Sequence, residues 1–300
     1  MKSYEVRLVY LCLLLPLLSV RSLDRVSVYT TLGSIQGYQN GGINYFLGIP
    51  YAEAPVGKGR FQPSNPKRPW FPTVYQATNF SNECIQSPLH SADGGPQDED
   101  CLYLNIWTPT SSIKRNIMSG NSNSTLLPVL IWIYGGGFLH GAASRPYYWG
   151  DRLARRGVVV VSFNYRVGAL GFLVSTGDGL FGNYGLFDQR LAVQWVADHI
   201  RAFGGDPNQI TLFGESAGAM AITLHFLGRQ QRRDDTNSNQ PAFRQIILQS
   251  NPMGYKYRSV AVANFIGRAY KEQLDCEDLR CLQSEPADEL LHVQDTLMAV

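Results

Sequence analysis

The sequence predicts an α/β fold: a mostly parallel central sheet with flanking helices, preceded by a small β-rich lead-in. Three observations predict it. Short, mostly apolar runs recur from Pro128 onward, at 129–134, 158–164, 210–213 and 246–248, and runs of that length read as strands covered on both faces. Helical patterns alternate with these runs, as crossover connections in a parallel sheet require. Before Pro128 the apolar runs are shorter and separated by Gly, Pro and Asn, which places strands at 26–29, 33–38 and 43–47.

The clearest helix spans 186–203. Phe187, Leu191, Trp195 and His199 recur at a spacing of four, as do Ala192, Val196 and Ile200, with Phe203 three residues on. Gly204-Gly205 supplies the stop. A second helix starts beside Ala217 and runs toward Leu227, and a third occupies 260–274. The sequence shows no internal repeat and no low-complexity tract.

The chain has 300 residues, 44% hydrophobic and 17% charged, an ordinary globular composition with apolar material for a substantial core. Its 26 basic and 24 acidic residues balance to +2. That balance gives no sign of the concentrated basic face by which nucleic-acid binders are known, and no nucleic-acid partner is expected. The one dense cluster, Arg229, Arg232 and Arg233, lies in a polar stretch where Asp234 and Asp235 follow directly, and reads as a solvated loop.

Residues 1–22 have the pattern of a signal peptide: Lys2 and Arg7, an apolar run over 8–20, then Val20 and Ser22 as small residues for cleavage. The run is shorter than the ~20 apolar residues of a membrane span. The expected division is therefore a leader over 1–22 and one domain over 23–300, secreted or in the lumen of the secretory pathway. With Cys12 in the leader, Cys84, Cys101, Cys276 and Cys281 form an even set for an oxidising compartment. Sequence-local pairing is the simplest of three connectivities, and four reduced, buried thiols are the alternative. Asn79 in Asn-Phe-Ser and Asn123 in Asn-Ser-Thr are N-glycosylation acceptors, both in polar, turn-rich surroundings.

The chemistry centres on Gly214-Glu215-Ser216-Ala217-Gly218, which fits G-x-S-x-G. Three fixed positions recur by accident in roughly one chain in ten of this length, so the setting carries the weight: a strand over 210–213 before and a helix from Ala217 after. A sharp turn there lifts the serine oxygen clear of the sheet and demands small neighbours, which Gly214 and Gly218 are. It also leaves the Ala217 amide free at a helix N-terminus to receive developing negative charge. Tyr134-Gly135-Gly136-Gly137-Phe138 follows another buried strand and matches the glycine loop that completes an oxyanion hole; alone it would read as a flexible turn.

E-D-C-L-Y-L-N-I-W at 99–107 and F-G-E-S-A-G-A at 213–219 resemble the two signatures of type-B carboxylesterases, a family of the α/β-hydrolase fold that includes cholinesterases. F-L-G-I-P-Y-A-E-A-P-V-G from Phe46, F-N-Y-R-V-G-A-L-G-F from Phe163 and G-N-Y-G-L-F-D-Q-R from Gly182 are similar to that family too, so the resemblance runs from Val26 onward. It implies Ser216 as nucleophile, oxyanion amides at Gly136, Gly137 and Ala217, a first disulfide between Cys84 and Cys101, and a structural ion pair between Arg60 and Glu99. Glu215 by the same resemblance supports the site electrostatically; a buried hydrogen-bonding acid is the alternative. The implied substrate is a small-molecule or lipid-like carboxylic ester, with no metal or organic cofactor. Cholinesterases hold a cationic substrate on a tryptophan inside the first disulfide loop. The residues between Cys84 and Cys101 include no Trp, Tyr or Phe, which favours an uncharged ester.

A serine nucleophile needs a histidine to take its proton and a carboxylate to orient that histidine, in chain order serine, acid, histidine. After Ser216 the sequence offers His225 and His292. His225 lies nine positions on, about 13 Å along the helix, and His292 follows a helical stretch with no sheet strand before it. The resemblance puts the family's acid and histidine after later strands, so the expectation is an esterase sheet lacking its C-terminal strands, with an exposed apolar edge and poor stability alone. The rival expectation is a catalytically inactive relative acting in adhesion or binding.

Overall fold

The computed structural model describes residues 24–88, 94–113, 126–231, 242–252 and 254–298. The expected leader over 1–22, Asn123, Arg232 and Arg233 lie outside those residues. β1 (Asp24–Thr30), β2 (Gly33–Asn40) and β3 (Ile43–Pro50) form an antiparallel meander. The β2–β3 turn is Gly41-Gly42, both at positive φ (54° and 82°), as a two-residue hairpin needs. β4 (Val74–Gln76) lies beside β2, and β5 (Glu83–Cys84) pairs with β6 (Gln97–Asp98) in a separate ribbon.

β7 (Tyr103–Pro109) joins the lead-in to the rest, running antiparallel to β3 on one side and to β9 on the other. Its Asn105 explains one letter of the L-N-I-W motif. The β3–β7 register shifts between Phe46 and Ile49, and the Gly48 amide there donates to Asn105 Oδ1 at 2.9 Å, while Asn105 Nδ2 donates to Ser162 Oγ at 3.2 Å.

β8 (Leu127–Ile133) follows, then α1 (Asp151–Ala154), β9 (Val159–Phe163), α2 (Gly168–Phe172), the small hairpin β10 (Val174–Ser175) and β11 (Leu180–Phe181), and α3 (Tyr184–His199). β12 (Gly205–Glu215), α4 (Ala217–Gln231) and β13 (Gln245–Gln249) come next. α5 (Val260–Gln273), α6 (Leu279–Ser284) and α7 (Ala287–Met298) complete the described chain. None of the described helices is long and apolar enough to cross a membrane.

The main sheet has the order β1-β2-β3-β7-β9-β8-β12-β13. It is mixed: β9, β8, β12 and β13 are mutually parallel, and the strands before them pair antiparallel through β7. The mostly parallel sheet expected from sequence is thus its second half. The lead-in adds to the same sheet because β7 is buried along its length and pairs with β3 on either side of the register shift. α4 also runs past its expected end at Leu227, taking Arg229 into the helix rather than the loop.

Burial follows the apolar runs. Val129, Ile131 and Ile133 of β8, Val159 and Val161 of β9, and Ile210 and Leu212 of β12 share one core with Ala192, Val196, Ile200 and Phe203 from α3 and the turn after it. The chain leaves that turn at Gly204, φ 84°. Arg166, just after β9, is buried against Asp188 of α3 by two parallel bonds of 2.8 and 2.7 Å, and the Arg166 amide donates to the same carboxylate at 3.1 Å. This pair fixes the crossover between sheet and helix, and joins the Y-R-V-G and F-D-Q-R motifs.

The disulfides are Cys84–Cys101 and Cys276–Cys281, the sequence-local pairing. Arg60 sits between them: it grips Glu99 with bonds of 2.8 and 2.5 Å and donates to the carbonyls of Leu282 (3.2 Å) and Glu285 (2.5 Å).

β13 differs from its parallel neighbours. Its composition is that of a covered strand, but among the described residues it pairs only with β12, and Ile247 and Leu248 are 47% and 38% exposed. Truncating Ile131 to alanine is expected to cost about 3 kcal/mol, through lost burial and the cavity left behind. Ile247→Ala should cost less than about 1 kcal/mol, since half its surface is already wet. Urea denaturation of the two variants measures the contrast.

Candidate active site

Ser216 is the single residue between β12 and α4, at φ 53°. A non-glycine residue in that region is strained and persists only where its surroundings hold it. Here they do. The Ser216 amide donates to the Gln249 carbonyl at the end of β13 (3.0 Å), and its carbonyl accepts from Met220 in the first turn of α4 (3.0 Å).

The flanking glycines are required by distance. A Cβ at Gly218 would lie 2.1 Å from the Ile133 carbonyl oxygen, and one at Gly214 would lie 2.7 Å from the same atom. Helix and strand therefore meet at backbone contact, and the serine is lifted onto the C-terminal edge of the sheet.

The glycine loop leaves β8 at that edge and folds against the serine. A Cβ at Gly135 would stand 2.7 Å from the Glu215 carbonyl oxygen, 2.8 Å from Glu215 Oε2 and 3.1 Å from Ser216 Cβ. Gly136 and Gly137 adopt φ of 106° and 64°. The Gly136 carbonyl accepts from the amides of Leu139 and His140 (3.0 and 3.2 Å), which closes the loop on itself. Gly136, Gly137, Ala217 and Ser216 thus gather at one end of β8 and β12. Glu215 lays its carboxylate along the loop.

Several residues that hold this loop carry no signal in the sequence. Gln86, two positions after Cys84, is buried and bonds both ways to Gly141: its Nε2 donates to the carbonyl (3.0 Å) and its Oε1 accepts from the amide (2.8 Å). Glu83 and Arg145 form a buried ion pair of 3.2 Å beside it. Tyr134 and Tyr165 stack at 4.4 Å and exchange hydroxyl-to-carbonyl bonds of 3.1 and 2.8 Å. Burial raises both phenols, so both stay protonated donors. Phe138, next in the loop, packs its ring 5.2 Å from Phe172 of α2, and its carbonyl accepts from the Gly168 amide at 2.7 Å.

The histidines are spread apart. His225 is half-buried in α4 with Nε2 2.8 Å from Gln189 Oε1. Burial, with a smaller contribution from Arg190, pushes its pKa down to about 4. His292 is exposed on α7. His140 follows the glycine loop, with Nδ1 3.0 Å from where a Gly136 Cβ would stand; it precedes Ser216 in the chain, so the order serine, acid, histidine does not mark it. Asn79 is exposed, with Nδ2 donating to Thr78 Oγ1 at 3.1 Å.

Two outcomes follow. Gly218→Ala is expected to cost about 3 kcal/mol by forcing α4 off β8. Gly137→Ala, whose Cβ would find its nearest neighbour 3.9 Å away, should cost only backbone strain of about 1 kcal/mol; thermal melts of both variants distinguish them. His225 folds with a pKa below its unfolded value of 6.5, so its neutral form contributes stability that is complete above that value and is lost as pH falls toward 4. Replacing His225 by Gln should flatten the stability profile between those limits relative to the parent, read by urea titrations at stepped pH.

Over 291 residues the chain is 40% identical to the acetylcholinesterase of Danio rerio, covering 88% of this chain and 43% of that protein. It is 43% identical over 230 residues to the fumonisin B1 esterase of Sphingopyxis macrogoltabida, covering 74% of this chain and 39% of that one. A Geobacillus stearothermophilus carboxylesterase structure superposes with a TM-score of 0.76 at 37% identity, covering 90% of this chain and 53% of that one. The chain thus spans less than half the length of these two sequence relatives. The Carboxylesterase family matches residues 24–299, and with the elbow, the glycine loop and the shared sheet this places the chain in the carboxylesterase family.

Proposed function

We propose that this chain is the nucleophile-bearing part of a secreted serine carboxylesterase that hydrolyses uncharged carboxylic esters. The observation that carries the reading is the packing of the glycine loop onto Ser216, with Gly135 in backbone contact with Glu215. In the reaction, Ser216 Oγ attacks the ester carbonyl carbon and its proton passes to a histidine base. The amides of Gly136, Gly137 and Ala217 receive the oxyanion, the alcohol departs with the proton, and water then releases the acid from the acyl-enzyme. Glu215 supports the electrostatics of the loop.

Neither His225, held by Gln189, nor His292, exposed on α7, suits the base. The acid and histidine are therefore assigned to sequence beyond residue 300. An uncharged ester fits the absence of Trp, Tyr and Phe between Cys84 and Cys101 and the paired rings of Phe138 and Phe172 beside the loop. The leader over 1–22, the two disulfides and glycans at Asn79 and Asn123 belong to the same secreted reading. A non-catalytic adhesion or binding role is the rival, and an intact elbow at Ser216 speaks against it.

The test joins this chain to the C-terminal half of a matched carboxylesterase and measures p-nitrophenyl ester hydrolysis and fluorophosphonate labelling. The chimera should show both, Ser216→Ala should lose both, and the 300-residue chain alone should turn over at least about 10³-fold more slowly. Persistent activity in Ser216→Ala would remove the nucleophile assignment. Full activity of the chain alone would remove the missing-base assignment.

A further inference from the structure

The glycine loop is tied back at Gly141, where φ is 126° and a Cβ would stand 2.4 Å from Tyr134 Cδ2. Gln86, 1% exposed, takes both polar atoms of that residue from outside the loop: its Oε1 accepts from the Gly141 amide (2.8 Å) and its Nε2 donates to the Gly141 carbonyl (3.0 Å). The other Nε2 hydrogen goes to the Cys84 carbonyl (2.9 Å), and the Gln86 amide donates to Gln97 Oε1 (2.9 Å). A flipped side-chain amide would set its oxygen against two carbonyls, so the bonds admit one orientation. Gln86 is thus fixed by the Cys84–Cys101 segment and in turn fixes a glycine of the loop.

Two peptide planes extend this constraint toward the nucleophile. The Gly141 amide that Gln86 holds shares a trans unit with the His140 carbonyl, and the two point in opposite directions. That carbonyl oxygen lies 2.1 Å from where a Gly136 Cβ would stand, while the Leu139 and His140 amides donate to the Gly136 carbonyl at 3.0 and 3.2 Å. The Gly136 carbonyl shares a second trans unit with the Gly137 amide, so a carbonyl drawn into the loop turns that amide out of it. Among the described residues neither the Gly136 nor the Gly137 amide has a backbone acceptor. The same loop meets Ser216 at Gly135, where a Cβ would stand 3.1 Å from Ser216 Cβ.

We infer that Gln86 is a positioning residue for the oxyanion hole, setting the direction of the Gly137 N–H through Gly141 and His140. The inference rests on Gly136 and Gly137 being oxyanion donors. A neutral amide is the group this place requires. It donates and accepts at once, which methionine of similar shape cannot do, and it adds no charge beside Glu83 and Arg145, which already neutralise each other. A bond that aims a donor is felt when charge develops on the ester oxygen and hardly at all when the ester binds. Its loss therefore falls on kcat and spares KM.

Gln86→Met, and Gln86→Asn with its amide one methylene short, are made in this chain and in its chimera with a carboxylesterase C-terminal half. In the chimera, p-nitrophenyl acetate turnover is expressed per serine titrated to completion with fluorophosphonate, so misfolded molecules drop out. In Gln86→Met, kcat per titrated serine should fall about a hundredfold with KM within about threefold. Affinity for a trifluoromethyl ketone, whose serine adduct carries an oxyanion, should fall by the same factor as kcat/KM. Gln86→Asn, the milder change should Gln86→Met not fold, is expected to lose less of both. Hydrogen exchange, which needs no turnover, should quicken over 135–143 and stay level over 216–220 in both proteins. A loss confined to the number of titrated serines makes Gln86 merely structural and overturns the inference, as does unchanged ketone affinity or unchanged exchange over 135–143 in a folded variant. A parent chimera without turnover removes the Ser216 reading and the oxyanion role with it, and the exchange still decides whether Gln86 governs the loop.

Discussion

Gly218 brings the first turn of α4 so close to β8 that a side chain there would strike the Ile133 carbonyl oxygen at 2.1 Å. That approach sets the rest. With α4 against β8, the turn from β12 has one residue in which to reverse, and Ser216 takes a left-handed conformation to do so. The glycine loop leaves β8 just beyond the contact, so it meets the serine without needing a long excursion. Strain at one residue is tolerable because a neighbouring strand satisfies its amide and the first turn of α4 its carbonyl, which turns a local cost into a fixed position for one oxygen atom.

The loop is positioned from outside its own sequence. Gln86 reaches it from the Cys84–Cys101 segment, Glu83 and Arg145 neutralise each other beside it, and Tyr134 and Tyr165 lock the strand ends from which it springs. All are buried or paired, so each is committed to a geometry and has little freedom to adapt. The Arg166–Asp188 pair does the same for the crossover into α3.

What the sequence made legible was whatever leaves a periodic or steric mark. Mostly apolar runs located β8, β9, the second half of β12 and β13, and the spacing along α3 located its buried stripe. The glycines of the elbow were readable because only absent side chains permit the contacts they make. β7 was not readable, since Tyr103-Leu104-Asn105-Ile106-Trp107 has a polar residue at its centre; Asn105 is there to satisfy the Gly48 amide across a register shift, which no local pattern announces. Gln86 leaves no mark for the same reason: its partner Gly141 lies 55 positions away, and long-range partners are invisible until the topology is known.

Arg60 reaches across almost the whole chain, donating to carbonyls 222 and 225 positions downstream. At synthesis rates of about 5–20 residues per second, the wait between them is roughly ten to forty-five seconds. Glu99, only 39 positions on, is available far sooner. The guanidinium therefore meets its carboxylate early and its two carbonyls late, and the early ion pair holds the cation in place as a landing point for α6. Assembly of this corner is ordered by biosynthesis: the N-terminal strands are closed by an acid from their own neighbourhood and sealed later by carbonyls 222 and 225 positions on.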